Sequence, residues 1–491
     1  MRVRISVVMA SALVLGASMT AYAVVGNTVT VTGTSPFSLG CEQTTTAGAY
    51  PGAEVEPFVA TDPTNARNLI GVWQQDRFPN GGSRGLGTAI SNDGGANWTT
   101  VTPPTFSRCA GGTVANGGDL ERATDPWVSI GKDRNGLSVA YQISDSFNDT
   151  NTTNAILVSR STDGGTTWQN PVTVLRESGG RDVTFAFSDK ESITADPTRP
   201  CFAYAIWDRL VGPAGKSKAS ASAFEHASGY RGPTWFSRTT DCGVSWEPAR
   251  LIFDPGQIDQ TIGNQIAVLS NGTLINTFDL IYNQKNAQGL RGENIAVQRS
   301  TDAGATWGPV IIVAKAQSTG VTFNGTPLRT ADNIPDIAVL GNRVVLGWQD
   351  SRFSSDAHDD VVVTDSNDGG LTWSAPVRVS TGSLPAFNVA VEFTANGRLG
   401  VGYHQLAVDG GVTRWLASST PGPTTPASIG ALVPSVLSGG SANIITNAPF
   451  ARGYFLGDYQ GLTASGNNLV SFYVNPNTAG PNNTDVYATI S

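Results

Sequence analysis

The segment SNDGGANW at residues 91–98 decides the fold, because four similar segments follow it along the chain. The other copies are STDGGTTW at 161–168, TTDCGVSW at 239–246, STDAGATW at 300–307 and SNDGGLTW at 366–373. Each copy is typical of a tight hairpin, in which Asp accepts hydrogen bonds from turn amides, Gly supplies a positive φ and Trp packs beneath the turn. The copies recur about every 60 to 80 residues, which suits one four-stranded propeller blade with its loops. The pattern predicts an all-β fold, a β-propeller.

A two-strand unit precedes the repeat segments and also occurs without them. In the first blade, residues 55–61 lead through the turn at residues 62–65 into residues 69–74. Residues 389–403 and 459–473 keep this hairpin but lack a repeat segment. Five units with the segment and two without it predict seven blades, and residues 28–34 are expected to close the ring against residues 485–490. We therefore expect residues 24–491 to form a single propeller.

Residues 1–23 have the composition of an export signal. Arg2 and Arg4 precede an apolar run at residues 5–19, and Ala21 and Ala23 supply small residues for a cleavage site. No later stretch reaches the roughly 18 apolar residues of a membrane span. A net charge of −8 without a basic block argues against nucleic acid as a partner. We expect a secreted, monomeric protein, either extracellular or periplasmic.

The four cysteines all lie in the exported part of the chain. An even number of cysteines in an oxidising compartment favours two disulfides, and no CxxC or His/Cys cluster supports the alternative of a zinc site. Cys201 follows the first turn of the third blade, and Cys242 replaces a glycine of the repeat segment in the same blade. Both turns belong to one face, so we predict that Cys201 pairs with Cys242. Cys41 and Cys109 then pair by elimination.

The five repeat segments resemble the Asp-box, or BNR, repeat of sialidases and related propellers. The resemblance covers most of the chain at the level of blades. It implies a carbohydrate or glycoconjugate as partner, and an active face opposite the repeat segments. That face collects the starts of first strands and the ends of second strands.

Charged residues form only 14% of the chain, yet many of them fall at these positions. Carboxylates beside arginines near a propeller axis would form an anion-binding site capable of acid/base chemistry. The first strands contribute Glu54, Glu56, Arg122, Asp125, Asp189, Lys190, Glu191, Arg329, Asp332, Asp336, Asp458 and Tyr459. The second strands contribute Gln75, Asp76, Arg77, Asp208, Arg209, Asp279, Asp350, Arg352 and His404.

Three of these arginines have a structural interpretation beside the functional one. Arg77, Arg209 and Arg352 each follow a Trp, in WQQDR, WDR and WQDSR. A feature that recurs in three blades can be a brace between blades instead of a substrate contact. Arg209 and Asp125 are kept here as candidate substrate-binding residues.

The sialidase resemblance also implies roles for particular residues. Sialidases bind the substrate carboxylate with three arginines, and use an Asp acid/base and a Tyr nucleophile activated by a Glu. Tyr459, in GDYQGL, matches the family tyrosine by its place, with Glu191 as its partner. Arg122, Arg329 and Arg352 are the candidate carboxylate clamps. Asp332 and Asp458 are the candidate catalytic carboxylates, so the expected reaction is hydrolysis of a glycosidic bond at an acidic sugar.

Two alternatives use the same fold. A polysaccharide lyase would neutralise a uronate with Arg and abstract a proton with His or Tyr, and His404 in GYHQL stands where such a base could lie. A propeller can also bind a glycan or a protein without cleaving it. No cofactor is expected, and a structural divalent cation such as calcium is left open.

Overall fold

The computed structural model describes residues 26–43, 48–178, 186–212, 231–420, 432–477 and 483–491. The expected export signal at residues 1–23 lies outside the described residues. The described chain consists mainly of β-strands, with 3-10 turns at Arg108–Ala110, Val114–Asn116 and Ile445–Asn447. None of its helices has the length and apolar character that crossing a membrane requires.

Most strands form antiparallel four-stranded units, called blades below and numbered along the chain, and a single bridge between Ser83 and Ala123 joins the first two units. Strand β1 spans Asn27–Thr30. Blade 1 contains β2 (Glu54–Asp62), β3 (Asn65–Arg77), β4 (Ser83–Ser91) and β5 (Thr99–Thr100). Blade 2 contains β6 (Arg122–Lys132), β7 (Ser138–Phe147), β8 (Asn154–Ser161) and β9 (Val172–Glu177). Blade 3 contains β10 (Ala186–Ala195), β11 (Ala203–Val211), β12 (Thr234–Thr239) and β13 (Arg250–Phe253). Blade 4 contains β14 (Gln260–Val268), β15 (Leu274–Ile281), β16 (Asn294–Ser300) and β17 (Ile311–Lys315).

The second half of the chain continues this order after two short strands, β18 (Val321–Phe323) and β19 (Thr326–Arg329). Blade 5 contains β20 (Asp336–Leu340), β21 (Arg343–Asp350), β22 (Asp360–Ser366) and β23 (Val377–Arg378). Blade 6 contains β24 (Ala386–Phe393), β25 (Leu399–Leu406), β26 (Gly411–Ser418) and β27 (Val433–Ile444). Strand β28 (Tyr454–Phe455) pairs with β19 in a small separate sheet. The last blade contains β29 (Gly461–Ser465), β30 (Asn468–Pro476) and β31 (Thr484–Ile490), and β1 completes it.

The first strands of the blades line a common axis. Going around it, β2 contacts β6, β6 contacts β10, β10 contacts β14, β14 contacts β20, β20 contacts β24, β24 contacts β29, and β29 contacts β2 again. The N-terminal strand closes the last blade as predicted, with Asn27 opposite Ile490 and Thr30 opposite Tyr487. The prediction of an all-β propeller is therefore confirmed.

Apolar side chains of neighbouring blades form the core. Between blades 3 and 4, for example, Tyr204, Ile206 and Phe236 pack against Ile266 and Leu274. Full burial of each such side chain contributes roughly 1.5–3 kcal/mol. This packing holds the first strands rigidly around the axis, where the polar residues described below converge.

The five repeat segments form the predicted hairpins between third and fourth strands. In the first copy, the hydroxyl of Ser91 accepts the amide of Gly95 at 2.9 Å, and Asp93 accepts the amide of Asn97 at 2.9 Å. The Asp-to-amide bond has the same length, 2.9 Å, in the other four copies. Trp98 packs against Phe472, with ring centroids 5.0 Å apart. Each turn thus satisfies several of its backbone amides with side chains of the same eight-residue segment.

Both predicted disulfides are present. Cys41 is bonded to Cys109, and Cys201 is bonded to Cys242. The second bond joins the two turns of blade 3 on one face, where the amide of Cys242 also donates to the carbonyl of Cys201 at 3.0 Å. The first bond ties the N-terminal segment to the loop that follows blade 1.

Candidate active site

A bulge near the start of the first strand recurs in five blades. It interrupts the pairing of first and second strands between Val55 and Phe58, Thr124 and Trp127, Asp189 and Ser192, Ile262 and Gln265, and Phe387 and Ala390. In blades 1 to 3 the bulge holds Glu56, Asp125 and Lys190 in the left-handed region, with φ of 53°, 49° and 51°. Such a conformation costs a side-chain-bearing residue on the order of 1–3 kcal/mol, and it clusters at functional sites. The repeated bulge therefore indicates that a functional site lies at the end of the axis where the first strands begin.

Lys190 is the centre of the charged cluster that results. Its Nζ lies 2.8 Å from Asp125 Oδ1, 2.7 Å from Asp458 Oδ2 and 3.3 Å from Glu56 Oε1. All four side chains are buried. The cluster joins blades 1, 2 and 3 to the segment that leads into the last blade.

Glu56 and Asp125 have opposite protonation tendencies within this cluster. Burial raises the pKa of Glu56 well above its usual value, despite the charge of Lys190. Burial alone would also raise the pKa of Asp125, but the charge of Lys190 and a hydrogen bond from Glu56 lower it. Glu56 therefore holds a proton more readily than Asp125 does.

Asp458 is held as a carboxylate by two cations. Arg329 binds it with both Nε, at 2.9 Å, and Nη2. Burial would raise the pKa of Asp458, but Arg329 and Lys190 lower it well below the usual value. Paired contacts of this kind also fix the orientation of the carboxylate.

Asp332 is a second carboxyl that lies near Asp458, but its pKa is shifted in the opposite direction. It accepts a hydrogen bond from Ser318. Burial raises the pKa of Asp332, and the charges of Asp359 and Asp458 raise it further. A carboxyl with a raised pKa and a carboxylate with a lowered pKa thus stand at one site.

Both carboxyls line a cavity of about 310 Å³ at the end of the axis opposite the repeat segments. A volume of this size is at the lower end of that found for ligand pockets. The charged residues that line it are Asp189, Lys190, Arg329, Asp332, Arg452 and Asp458. The structure thus brings together Arg329, Asp332 and Asp458, which were sequence candidates, with Asp125 directly behind Lys190.

Tyr459, the candidate nucleophile, does not line this cavity. Its hydroxyl donates to the carbonyl of Pro126 at 3.0 Å, and its ring makes edge contacts with Phe58 and Trp127. Burial raises the pKa of Tyr459 well above its usual value. The structure places this side chain in the packing between blades and outside this cavity, so the assignment of Tyr459 as nucleophile stays a prediction that these contacts do not support.

Glu191, the proposed partner of Tyr459, is also enclosed. Its carboxyl accepts the backbone amide of Asp145, and burial together with the charges of Asp125 and Asp145 raises its pKa. It lies within the bulge of blade 3, next to Lys190, and does not line the cavity.

The other candidate arginines pair with carboxylates away from the cavity. Arg122 is fully buried, stacks over Phe78 and binds Asp149 at 2.9 Å. Arg209 binds Glu177, and Arg352 binds Asp350. None of these three side chains lines the cavity, and each guanidinium binds a carboxylate outside it. Their positions therefore do not support substrate contacts. Arg209 and Arg352 agree with the interpretation as braces between blades, because Arg209 binds Glu177 of blade 2 and Arg352 also donates to the carbonyl of Lys315 in blade 4.

His404, the candidate lyase base, lies within blade 6. Its ring packs between Phe387 and Tyr473, at centroid distances of 5.5 and 6.1 Å. Burial and the charge of Arg414 lower its pKa well below the usual value. His404 does not line the cavity, and its assignment as a catalytic base stays a prediction.

Glu56 and Lys190 were noted as polar first-strand residues, but the sequence assigned them no role. A signal for Glu56 was present, since Glu56-Pro57 and Asp125-Pro126 occupy equivalent places in blades 1 and 2. Lys190 has no such signal. Its role depends on three carboxylates from other parts of the chain.

No protein-family model matches the chain, and no curated protein matches it. Solved structures that are similar to it include a protein of unknown function from Dyadobacter fermentans, with 14% identity, a TM-score of 0.46, and coverage of 75% of this chain and 94% of that one. A Hadza microbial sialidase has 13% identity and a TM-score of 0.45 over 86% of this chain and 76% of its own. An α-L-arabinofuranosidase from Fusarium graminearum has 11% identity and a TM-score of 0.44 over 71% and 88%. The last two are β-propeller glycoside hydrolases of low sequence identity to this chain.

Proposed function

We propose that this protein is a glycoside hydrolase that acts on an acidic sugar outside the cytoplasm. The observation that supports it most is the pair of carboxyls with opposite pKa shifts in one cavity, Asp332 raised and Asp458 lowered. Glycoside hydrolases commonly use two carboxyl groups with different pKa values, one as the general acid and the other as a carboxylate. Two disulfides agree with an oxidising compartment.

In this mechanism Asp332 is the general acid. It gives its proton to the glycosidic oxygen while the bond from that oxygen to the anomeric carbon breaks, so the leaving sugar departs with a hydroxyl group. Asp458, held ionised by Arg329 and Lys190, faces the positive charge that develops on the sugar ring. Water then adds to the anomeric carbon, and its proton returns to Asp332. The net reaction consumes one water and leaves both carboxyls as they began.

A cation of the cavity supports an acidic substrate. Arg452, an exposed residue, lines the same cavity as the two carboxyls, and a guanidinium matches the geometry of a sugar carboxylate. Lys190 and Arg329 balance the charge of Asp458. The Glu56–Asp125 pair lies behind Lys190 and keeps that cation in place. Neither Tyr459 nor His404 lines the cavity, so elimination by a lyase base finds no support there.

The test is hydrolysis of aryl glycosides of uronic acids, sialic acid and neutral sugars by the purified protein. Asp332→Asn should lower turnover of the best substrate by about 10²–10⁴-fold, as expected for loss of a general acid. Asp133→Asn is the matched control, because Asp133 lies in the turn between β6 and β7 on the opposite face. Its turnover should equal that of the unmodified chain.

Three outcomes would contradict the proposal. Equal turnover in Asp332→Asn, with an unchanged melting temperature, would remove the acid assignment. An unsaturated product that absorbs in the near ultraviolet would identify a lyase. Sugar binding without release of any product would identify a binding propeller.

A further inference from the structure

A second and larger depression lies beside the candidate active site on the same face. It is an open groove of about 990 Å³, roughly three times the volume of the catalytic cavity. It runs between the loop that joins β15 to β16, the segment after β17, and the loop after β21. A ligand that filled both would be considerably larger than one sugar unit.

The groove is lined by three exposed cations, Lys285, Arg291 and Lys315. Within the described ranges, none of the three side chains forms an ion pair with a carboxylate. The groove also contains Glu293 and Asp356, and Asp356 already accepts a hydrogen bond from Ser351. Burial and the charges of Asp332 and Asp359 raise the pKa of Glu293 to about 7, so this carboxyl is only partly ionised at neutral pH.

This positive lining contrasts with the rest of the chain. The net charge is −8, so the protein as a whole repels an anionic polymer. Three cations without carboxylate partners in one groove give such a polymer a defined place to bind, because each can contact a separate negative group.

Ser318 joins the groove to the catalytic cavity. It lines the groove, and its hydroxyl contacts both Asp332 and Asp359, the latter at 2.6 Å. Asp332 itself lines the cavity. The groove therefore adjoins the proposed general acid, with Ser318 between them.

We propose that this groove binds the continuing chain of a polyanionic glycan, whose successive sugars carry carboxylate or sulfate groups, so that cleavage occurs within the chain. The inference rests on the proposed glycosidase function and adds its substrate class. Lys285, Arg291 and Lys315 supply the subsites beyond the scissile bond.

The experiment compares two triple variants with equal loss of charge. Lys285→Ala, Arg291→Ala and Lys315→Ala are combined to remove the groove cations. Arg67→Ala, Lys132→Ala and Arg134→Ala are combined as the control, because these residues are exposed near the turns of the opposite face. Binding is measured by calorimetry with galacturonate hexamer, its methyl-esterified form, and heparin, hyaluronate and polysialate oligomers. Asp332→Asn serves as the background so that no ligand is consumed.

The groove variant should bind the preferred polyanion about tenfold or more weakly, whereas the control should match the parent chain. The difference should shrink as salt rises above about 0.1 M, where the screening length is near 10 Å. The methyl ester, if galacturonate is preferred, should bind weakly to both. Carboxylate and sulfate sources are separated by which oligomer binds most tightly.

Equal affinity in the two triple variants would overturn the inference, and so would failure of every polyanion to bind the parent chain. The proposed function fails in a different way. Loss of binding in the groove variant without any cleavage by the native protein would keep the groove and reject the hydrolase. Cleavage that depends on Asp332 but is unaffected by the groove variant, on polymer and on aryl glycoside alike, would keep the hydrolase and reject the groove.

Discussion

The aspartates of the repeat turns and the carboxyls around the axis lie on opposite faces of the propeller, and they differ in what surrounds them. Asp368, in the last repeat turn, accepts the amides of Leu371 and Thr372 and the hydroxyl of Thr372. Burial alone would raise its pKa, but the hydrogen bonds from Thr372, Ser366 and Leu371 together lower it to about 2. On the other face, burial raises the pKa of Asp332 and Glu56. A local turn thus lowers the pKa of its carboxyl, whereas convergence of separate blades raises it.

The largest effect should come from removing the cation at the axis. Lys190→Met would leave Asp125 and Asp458 buried with less compensation, and breaking a buried pair costs about 3–5 kcal/mol. Chemical denaturation should show this loss, and Lys132→Met, an exposed lysine at the end of β6, should change stability very little. A second variant, Lys190→Met with Asp125→Asn, should regain part of the loss. If Lys190→Met and Lys132→Met have the same free energy of unfolding, the ion pairs of Lys190 do not stabilise the fold.

The pH dependence of turnover should change when Asp332 is substituted, but not when a turn aspartate of the opposite face is substituted. Asp332 must be protonated to act, and its pKa is raised, so activity should fall as pH rises through that raised value. Above it, kcat/KM should drop about tenfold per pH unit. The profile of Asp133→Asn should be the same, whereas the residual activity of Asp332→Asn should lose this limb. An alkaline limb that persists in Asp332→Asn would assign the titrating acid to another residue.

A repeat turn should contribute a modest amount of stability. Asp368→Ala removes the acceptor of several turn amides, a change comparable to loss of a helix cap, which costs about 1 kcal/mol. The folded pKa is lowered, so this contribution is present above the unfolded pKa and is lost as pH falls towards about 2. The difference in unfolding free energy between the two proteins should therefore be full at pH 7 and shrink on acidification. A difference that grows at low pH would contradict the lowered pKa.

The smallest effect should be that of Tyr459→Phe. The substitution removes one hydrogen bond to Pro126 and keeps the ring packing, so it should cost about 1 kcal/mol. Turnover should change by less than threefold, because the hydroxyl does not line the cavity. A loss of several orders of magnitude with intact folding would restore Tyr459 as the nucleophile.

The repeat segments made the propeller predictable from the sequence. The hydroxyl, the Asp and the Gly of the first segment are hydrogen-bonded to one another within eight residues, so the turn depends on the local sequence alone. The same locality placed Cys201 and Cys242 in adjacent turns of one blade, and thereby predicted their disulfide. The face on which Arg329, Asp332 and Asp458 lie also followed from the alternation of turns in a meander.

The chemistry of the site was decided by the tertiary structure. The amide of Asp458 contacts Glu56 across 402 residues of sequence, and Lys190 joins both to Asp125. The pKa of each carboxyl depends on its burial and on charges from several blades. Neither can be predicted from the residues that are its neighbours in the sequence. For the same reason Tyr459 and His404 were plausible in the sequence but lie in packed interiors. Turn geometry is set by neighbours along the chain, whereas pKa values and access to substrate are set by neighbours in space.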